Sequence, residues 1–379
     1  MAIDLLRNLV DQLIVGQALP FGVKDEHGQL LLAKGRTLTS DAQLRVLLER
    51  GLYVDHGDDH DVGALTPATG AEKTNAVRRN TLFDLWKQTT ARLDLLLGSM
   101  GRSDFPARID AYAAQLMALV QRDPDIGIFH SVRQDPTRLS LYGLSHALHC
   151  AMVCQLAVTR AGWSGPRVSS LVKAAMTMNL AIVEVQGQFA TMGRLNDAQR
   201  ALIRGHPEAA VAQLRAAGVD DDEWLQGVLE HHERPGGGGY PADLTAISEF
   251  ASVLRLVDVF MAKISPRTER PAMPILDAAR QMFAESQGSP LAAAIIKEYG
   301  IYPPGNFVLL ASGEMAVVIR RGATAHTPLA AAVTDPQGIP VLNTPKRNTA
   351  EAAYAIKSLV PENKMLLRVP PERLYGLVE

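Results

Sequence analysis

The sequence has little cysteine, few aromatic residues and no excess of either charge. Its 379 residues include two cysteines, and aromatic residues make up 5% of the chain. Cys150 and Cys154 lie one helical turn apart, too few and too close for the disulfide framework of a small secreted protein. Because 38 basic residues stand against 40 acidic ones, no basic field marks a DNA-binding surface. We therefore expect no DNA partner, and any anionic ligand must be bound by a local site.

Long hydrophobic runs are also missing. The first residues, Met1 to Asp4, lack the basic and then apolar run of a signal peptide. The most apolar window, 171–185, is interrupted by Lys173, Asn179 and Glu184. These absences predict a cytoplasmic protein without membrane insertion. We interpret the two cysteines as small buried hydrophobic residues, with the alternative that one is a peripheral ligand or a redox-sensitive thiol.

The composition is that of a globular protein with two or three domains, since 47% of the residues are hydrophobic. Turn residues and changes of periodicity divide the chain into five segments. They are a small α/β domain at 1–60, a linker at 61–80, a helical hairpin at 81–134, a helical domain at 135–300 and a β-rich appendage at 301–379. The hairpin could also serve as the seam of a homodimer.

Local signals add detail within these segments. Apolar spacing predicts one continuous helix over 166–185, and Pro207 predicts a helix start that separates 197–205 from 207–217. Asn196 and Gln199 have the spacing of a capping box. Strands are predicted at 19–23, 29–32, 52–54, 307–310, 315–319, 329–333, 340–342 and 365–369.

The stretch from Glu230 to Pro241 holds the densest chemistry, because the adjacent imidazoles of His231 and His232 precede four consecutive glycines. Imidazole is the commonest protein metal ligand, and glycine lets backbone N–H groups approach a phosphate. The alternative is a polar helix end followed by a flexible turn. Asp258 adds a carboxylate to an apolar helix, where it needs a cation. That cation is a metal or, alternatively, Arg255 or Lys263 one helical turn away.

The motifs together resemble the HD-GYP domain, the branch of the HD phosphohydrolase superfamily that hydrolyses cyclic di-GMP. The resemblance is carried by the runs 205–208 (Gly-His-Pro-Glu), 231–234 (His-His-Glu-Arg), 239–241 (Gly-Tyr-Pro) and 257–260 (Val-Asp-Val-Phe). Weaker similarities extend to Ser145-His146, to 265–267, to 300–305 and to the first domain. The resemblance implies a mainly α fold, an HD-type helical bundle with a small α/β domain before it and a small β appendage after it.

The resemblance also implies metal ligands. One ion of the family is held by a first histidine, a His-Asp pair and a late aspartate, and a second ion is held by three later histidines. Carried over, these are His146 and Asp258, which also take the catalytic role, and then His206, His231 and His232. Met178 and Asn179 occupy the positions of the His-Asp pair, Ile182 that of a lysine, and Gly236 that of an aspartate. We therefore expect at most one divalent ion, Fe, Mn or another, at the three later histidines.

Cyclic di-GMP or a related nucleotide is the ligand that the resemblance implies. Its phosphates would meet Arg234, Gly237, Gly239, Tyr240, Arg267 and Arg270. Losing the bridging carboxylate should reduce phosphodiester hydrolysis by orders of magnitude. We expect a protein of second-messenger signalling that acts by binding its ligand or protein partners. One alternative is an active phosphodiesterase that uses one metal, or further ligands such as Glu184 or Glu233. The other alternative is a metal-free scaffold.

Overall fold

A computed structural model describes the chain at residues 4–5, 13, 17–25, 30–37, 47, 51–55, 81–135, 139–192, 195–268, 270–361 and 369–377. The chain divides into two compact units, Met1–Gly98 and Ser99–Glu379. The predicted linker at 61–80 and the predicted strand at 365–368 lie outside the described residues. The five predicted segment boundaries stay predictions.

The first unit contains a four-stranded antiparallel sheet. Its strands are β1 (Asp4–Leu5), β2 (Gly22–Asp25), β3 (Leu30–Leu32) and β4 (Gly51–Asp55), in the order β1-β4-β2-β3. A small apolar core of Leu13, Leu19, Phe21, Val23 and Leu47 accompanies it. Helix α1 (Leu82–Leu97) begins at a capping box, in which Thr81 and Asp84 each accept from the other's backbone N–H.

The second unit is mostly helical, as the sequence predicts. Its helices are α2 (Phe105–Arg122), α3 (Pro124–Val132), α4 (Tyr142–Arg160), α5 (Pro166–Thr177), α6 (Val183–Thr191), α7 (Asp197–Ala216), α8 (Asp222–Glu230), α9 (Glu249–Ile264), α10 (Ile275–Glu285), α11 (Pro290–Tyr299) and α12 (Pro371–Leu374). Helix α4 is central, because it packs against α5, α6, α9 and α11 and is buried along most of its length. A residue on α4 therefore faces the middle of the bundle.

The chain's β appendage is a five-stranded antiparallel sheet in the order β8-β7-β6-β5-β9. Its strands are β5 (Phe307–Leu310), β6 (Met315–Arg320), β7 (Leu329–Ala332), β8 (Lys346–Asn348) and β9 (Ile356–Leu359). Strands β5, β6 and β7 are close to the predicted strands at 307–310, 315–319 and 329–333. The predicted strand at 340–342 is wrong, since Pro340 makes only an isolated bridge to Thr334. Strand β8 escaped prediction because its three residues are all polar, and β9 because it is short and its two apolar residues, Ile356 and Leu359, do not alternate.

The predicted continuous helix over 166–185 is also wrong. Helix α5 ends at Thr177, a 3-10 turn follows at Leu180–Ile182, and α6 begins at Val183. Where the chain changes direction, α4 and α6 approach backbone carbonyl groups closely at two glycines, Gly143 and Gly187. A Cβ on Gly143 would lie 2.4 Å from the Val183 carbonyl oxygen, and one on Gly187 would lie 2.7 Å from that of Ser140. The break leaves Asn179 at the turn instead of on a regular helix.

The predicted helix start at Pro207 is wrong as well. Helix α7 runs unbroken from Asp197 to Ala216, with Pro207 inside it. The capping box at its beginning is confirmed, because Asn196 and Gln199 each accept from the other's backbone N–H at 2.9 Å. Proline in a helix interior removes the N–H that would bond the carbonyl four residues earlier, here that of Ile203. The structure supplies a replacement donor, which belongs to the site described below.

Two described stretches are long and apolar enough to cross a membrane, Leu139–Arg160 and Pro166–Thr191. Within the fold, 89% and 67% of their apolar windows are buried. Core helices of a globular bundle have this same character, and the second stretch is broken at Asn179. Their hydropathy is explained by burial inside the protein.

Candidate metal centre

Three histidines from two elements meet in the bundle. His206 lies in the middle of α7, and His231 and His232 directly follow the end of α8. One ring nitrogen from each lies within 4.8 Å of the others. The ring centroids are 4.2 to 5.1 Å apart. The convergence expected from the sequence is confirmed, while metal binding by these residues stays a prediction.

His206 replaces the donor that Pro207 lacks. Its Nδ1 lies 2.5 Å from the Ile203 carbonyl oxygen, the acceptor that the proline leaves unpaired in α7. A carbonyl oxygen can only accept, so Nδ1 carries the proton of the neutral ring. The Nε2 atom therefore presents its lone pair to the centre of the histidine cluster. A metal-binding histidine is usually oriented by such a bond on its other nitrogen.

His231 is held in the same way by the end of α8. Its Nδ1 donates to the Val228 carbonyl oxygen at 2.7 Å, one of the last carbonyls of that helix, which have no partner within it. Its Nε2 therefore also carries a lone pair and no proton, and this atom lies 3.1 Å from Nε2 of His206. Burial lowers the pKa of both rings to about 4, so both are neutral near pH 7. Two acceptors face each other at hydrogen-bond distance, an arrangement that a cation stabilises.

His232 completes this cluster and is held by stacking. Its ring stacks on that of Tyr240, with the two centroids 4.6 Å apart. The Arg204 guanidinium lies over the same Tyr240 ring, 5.4 Å from its centroid. Burial lowers the pKa of His232 to about 3. The three imidazoles therefore form a neutral donor set, which fits a divalent ion with other ligands or water at its remaining positions.

A second group of ligand atoms lies on α4 and α9. His146 Nε2 is 2.8 Å from Asp258 Oδ1, and the Cys150 thiol is 3.5 Å from the same nitrogen. Burial opposes the charge of Asp258, but the His146 hydrogen bond and the nearby imidazoles hold the pKa of this carboxyl below its usual range. The alternative pairing with Lys263 is wrong, since Lys263 pairs with Glu285, and no ion pair between Asp258 and Arg255 occurs among the described residues.

Both groups open on one cavity of about 350 Å³. His146, His206, His232 and Asp258 line it, and Asn179 lies on its wall because α5 ends just before that residue. Its other lining residues are Tyr142, Ile182, Gln186, Phe189, Ala190, Met192, Leu195, Ile203, Ala262, Arg267 and Arg270. Two arginines and one carboxylate thus give the cavity a positive character suited to an anion.

The arginines of this wall are held in different ways. Arg267 donates to the Tyr142 hydroxyl at 2.9 Å, and its Nε is buried with no hydrogen-bond partner among the residues that the structure describes. Arg270 donates to the Ala262 carbonyl. Tyr142 in turn stacks on His146, with ring centroids 5.5 Å apart and planes 12° apart. The Arg267 Nε is therefore a buried donor available to a ligand oxygen.

The glycine-rich loop is built differently from the sequence interpretation. The N–H groups of Gly236, Gly237 and Gly238 donate to the Thr245 carbonyl, the Arg234 carbonyl and Asp243 Oδ1. Three of the four glycine N–H groups are therefore used inside the loop, and the expectation that they face a phosphate is wrong. The glycines are required instead for backbone shape, since all three of these have φ between 79° and 93°.

Glu233 explains the remaining glycine. Its carboxylate is fully buried and accepts from the N–H groups of Ala242 and Leu244 at 2.6 and 3.0 Å. A Cβ on Gly239 would lie 2.5 Å from the Glu233 Cα, so this position must be glycine. Glu233 therefore fastens the loop and is not free to be a metal ligand. The other alternative ligand, Glu184, is exposed and does not line the cavity.

The remaining predicted site residues divide between cavity and surroundings. Asn179 and Ile182 line the cavity, whereas Met178 is fully buried in the core and outside its lining. Arg234, Gly237, Gly239 and Tyr240 do not line it. The sequence analysis gave a ligand role to one of the two cysteines only as an alternative and did not connect Cys150 with His146, although a spacing of four residues on a helix was a usable signal. It also missed the loop clamps Glu233 and Asp243.

Comparison with known proteins agrees with this geometry. Residues 144–289, which contain every residue of the two ligand groups, match the family described as HD domain. A curated relative, cyclic di-GMP phosphodiesterase PA4108 of Pseudomonas aeruginosa, is 34% identical over 142 residues. Both ligand groups therefore lie within the part of the chain that matches the HD domain. The match covers 36% of this chain and 34% of that relative, so it spans about a third of the relative's length.

A solved structure has the same fold. Bd1817, an HDG"Y"P protein from Bdellovibrio bacteriovorus, superposes with a TM-score of 0.51 at 12% identity, covering 78% of this chain and 98% of that one. At this identity the similarity shows the fold alone. The predicted HD-type helical bundle with a small β-sheet at its end is confirmed.

The metal-free HD domain should lose stability in mild acid. An unfolded histidine has a pKa of about 6.5, but His206 and His231 titrate near 4 when folded. Between these values the unfolded chain binds more protons, so the free energy of unfolding falls as the pH is lowered from 6.5 towards 4. One such histidine accounts for on the order of 3 kcal/mol. Urea unfolding at pH 7, 6 and 5 with a chelator present measures this loss.

The test variant is His231→Gln. The matched control is His326→Gln, because His326 is exposed on the loop between β6 and β7 of the β appendage. The first should show a weaker pH dependence than the parent, and the second should keep the parent's dependence. An H231Q variant with the parent's full pH dependence would show that these buried rings do not govern acid stability.

Proposed function

We propose that this chain is a degenerate HD-GYP protein of cyclic di-GMP signalling. It binds one divalent ion at His206, His231 and His232, binds cyclic di-GMP or a related nucleotide in the adjoining cavity, and hydrolyses it slowly or not at all. Its output is ligand binding or contact with protein partners. The observation that carries the proposal is the difference between the two ligand groups. One is an open donor set, and the other is closed by an internal hydrogen bond.

The three-histidine cluster supports retention of a metal. The Ile203 and Val228 carbonyls fix two rings with their Nε2 lone pairs 3.1 Å apart. Without a cation this contact is repulsive, so a structure selected only for stability has little reason to keep it. A bound divalent ion would supply a Lewis acid beside the cavity and so favour a phosphate oxygen there.

The His146 and Asp258 group supports loss of hydrolysis. The two side chains satisfy each other at 2.8 Å, and the neighbouring cavity residue is the amide of Asn179. An amide is a weak neutral ligand, and it cannot bridge two ions as a carboxylate does. Met178 offers only a buried thioether outside the cavity lining. Hard ions such as Mn²⁺ or Mg²⁺ therefore have too few ligands here.

Two other functions are weighed against this one. An active phosphodiesterase is favoured by the shared cavity, onto which both ligand groups open, and by the activity named for the Pseudomonas relative. A metal-free scaffold is disfavoured, because the facing lone pairs of His206 and His231 would be an uncompensated cost. Homodimer formation and a cytoplasmic location remain part of the proposal as predictions.

Metal content tests the proposal most directly. We expect equilibrium dialysis against Mn²⁺ to give one ion per chain, because one donor set is open and the other is closed. His231→Gln should abolish tight binding, and the exposed His326→Gln should retain it. No bound Mn²⁺ would favour the scaffold, and two ions per chain would favour the active enzyme.

Ligand affinity tests the role of the cavity. Arg267→Gln should weaken cyclic di-GMP binding by about 10-fold or more, because a charge-assisted hydrogen bond contributes about 1.5–3 kcal/mol. Arg280→Gln is the matched control, since Arg280 is exposed and pairs only with Asp277 on α10. Isothermal titration gives both affinities. A parent Kd weaker than about 1 mM, equivalent to ~4 kcal/mol, would exclude the binding function.

Restoring the missing pair tests the reason for lost hydrolysis. Met178→His with Asn179→Asp should raise cyclic di-GMP hydrolysis above the parent, because it returns an imidazole and a bridging carboxylate beside His146 and Asp258. Without metal the double variant should melt lower, since the new carboxylate is buried and unpaired, and Mn²⁺ should raise its Tm.

Met178→His alone is the control, because it lacks the bridging carboxylate and should stay at the parent's rate. Hydrolysis is followed by separating the linear product from the cyclic substrate. A parent as active as the double variant would contradict the view that Met178 and Asn179 make this HD domain degenerate.

A further inference from the structure

His146, Cys150 and Asp258 form a ligand group that contains a thiol. His146 and Cys150 lie four residues apart on α4, so their side chains leave the same face of the helix. Asp258 approaches from α9, and the nitrogen, sulfur and oxygen atoms all lie within 4.8 Å of one another. His146 and Cys150 are more than nine-tenths buried, and Asp258, whose side chain is 13% exposed, lines the cavity wall. The three atoms therefore surround one point in the bundle.

The separations of these atoms suit a tetrahedral ion. Zinc bonds nitrogen and oxygen ligands at about 2.0–2.2 Å and thiolate sulfur at about 2.3 Å, so two ligands of one ion lie about 3.3–3.6 Å apart. The observed distance between Cys150 Sγ and His146 Nε2 is 3.5 Å. The distance between His146 Nε2 and Asp258 Oδ1 is 2.8 Å, so this pair needs to open by about half an ångström to admit an ion.

Asn179 lies beside this point. It is 5% exposed and lines the cavity together with His146 and Asp258. Its amide oxygen can occupy a ligand position or bond a metal-bound water. Asn179 is a poor ligand for a hard ion, but it is compatible with a site in which a thiolate supplies negative charge.

The chemistry of the thiol selects the ion. Cys150 is fully buried, and its thiol must give up a proton before the sulfur can bind an ion as a thiolate. Only an ion with high affinity for sulfur can displace the thiol proton, which leaves to solvent as the metal–sulfur bond forms. Zn²⁺ and Co²⁺ meet this condition, whereas Mn²⁺ and Mg²⁺ prefer oxygen ligands.

The hydrogen bonding of His146 Nδ1 favours neither the metal-free nor the metal-bound state. Its Nδ1 is buried without a hydrogen-bond partner among the described residues. With the proton on Nε2, bonded to Asp258, Nδ1 is an unpaired acceptor. With a metal on Nε2, Nδ1 carries the proton and is an unpaired donor. The cost of an unsatisfied Nδ1 is therefore present in both states.

We propose that Cys150, with His146 and Asp258, forms a second metal position that takes thiophilic divalent ions such as Zn²⁺ or Co²⁺ and excludes Mn²⁺. The inference deepens the proposed function, because it gives the degenerate half of the same cavity its own ion. The protein would then hold one Mn²⁺ but two Co²⁺ per chain. Its metal content would depend on which ions are available to it.

Cobalt titration of the full chain tests the proposal, because thiolate bound to Co²⁺ gives an intense charge-transfer absorption that histidine ligands do not. We expect the parent to bind two equivalents and to develop this absorption with one of them. Cys150→Ala should lose the absorption and one equivalent. Cys154→Ala is the matched control, since Cys154 is an equally buried free cysteine one turn further along α4, and it should keep both.

The outcomes separate this inference from the proposed function. If the parent binds one Co²⁺ without charge-transfer absorption, the thiolate site is wrong and the three-histidine site stands. If His231→Gln leaves a single Co²⁺ with its charge-transfer absorption while the parent also binds only that one, the thiolate site stands and the three-histidine site is wrong. Absorption that persists in C150A overturns the inference.

A measurement on the parent covers the case in which Cys150→Ala fails to fold. X-ray absorption of the protein loaded with two Zn²⁺ should show sulfur scattering at about 2.3 Å, at an average of half a sulfur per zinc. Only nitrogen and oxygen scattering at full loading would overturn the inference without any variant. Circular dichroism and melting temperature confirm that the variants compared are folded.

Discussion

The contact between two imidazole lone pairs is the constraint on which this site depends. His206 and His231 point their Nε2 atoms at each other across 3.1 Å, and each ring is prevented from turning its proton inward by a backbone carbonyl on its other side. Those carbonyls are available for reasons of backbone chemistry. One lost its donor to Pro207 inside α7, and the other lies at the end of α8. Two local defects in helical hydrogen bonding thus fix the orientation of the donor set.

Hydrogen bonds between buried carboxylates and backbone N–H groups also explain the conformation of the loop after the histidines. Glu230 is the last residue of α8 and Glu233 follows that helix. The Glu230 carboxylate accepts the N–H of Ser248, and the Glu233 carboxylate accepts those of Ala242 and Leu244. The glycines provide positive φ angles and a close approach to Glu233. The motif that looks most like a phosphate cradle is thus, for the most part, the support that keeps His231 and His232 in place. Under the proposed function, the residues left to bind an anion are Arg267 and Arg270 of the cavity wall.

Residue pattern was sufficient for the helical class, the capping box at Asn196 and strands β5 and β6. The meeting of the three histidines was predicted from the family resemblance. It was insufficient where a tertiary contact overrides a local preference. The helix break at Asn179 is accompanied by close approaches at Gly143 and Gly187, which periodicity does not register. Helix α7 continues past Pro207 because a side chain, not the backbone, satisfies the Ile203 carbonyl. Cys150 was read as a small hydrophobe because burial and ligation look alike in a sequence.

The amide at position 179 is consistent with the electrostatics of the cavity as a whole. Among the described residues that line it, Asp258 is the one carboxylate, and Arg267 and Arg270 are the cations. A second carboxylate at 179 would stand near Asp258 and would require a second divalent ion to offset their repulsion. Replacing that carboxylate by an amide while losing the ion removes one negative and two positive charges, so the cavity stays positive. Under the proposed function, this exchange removes the bridging ligand on which hydrolysis depends and leaves a positive field that favours a phosphodiester. Position 179 then affects catalysis more than binding, without a change in the helices of the bundle.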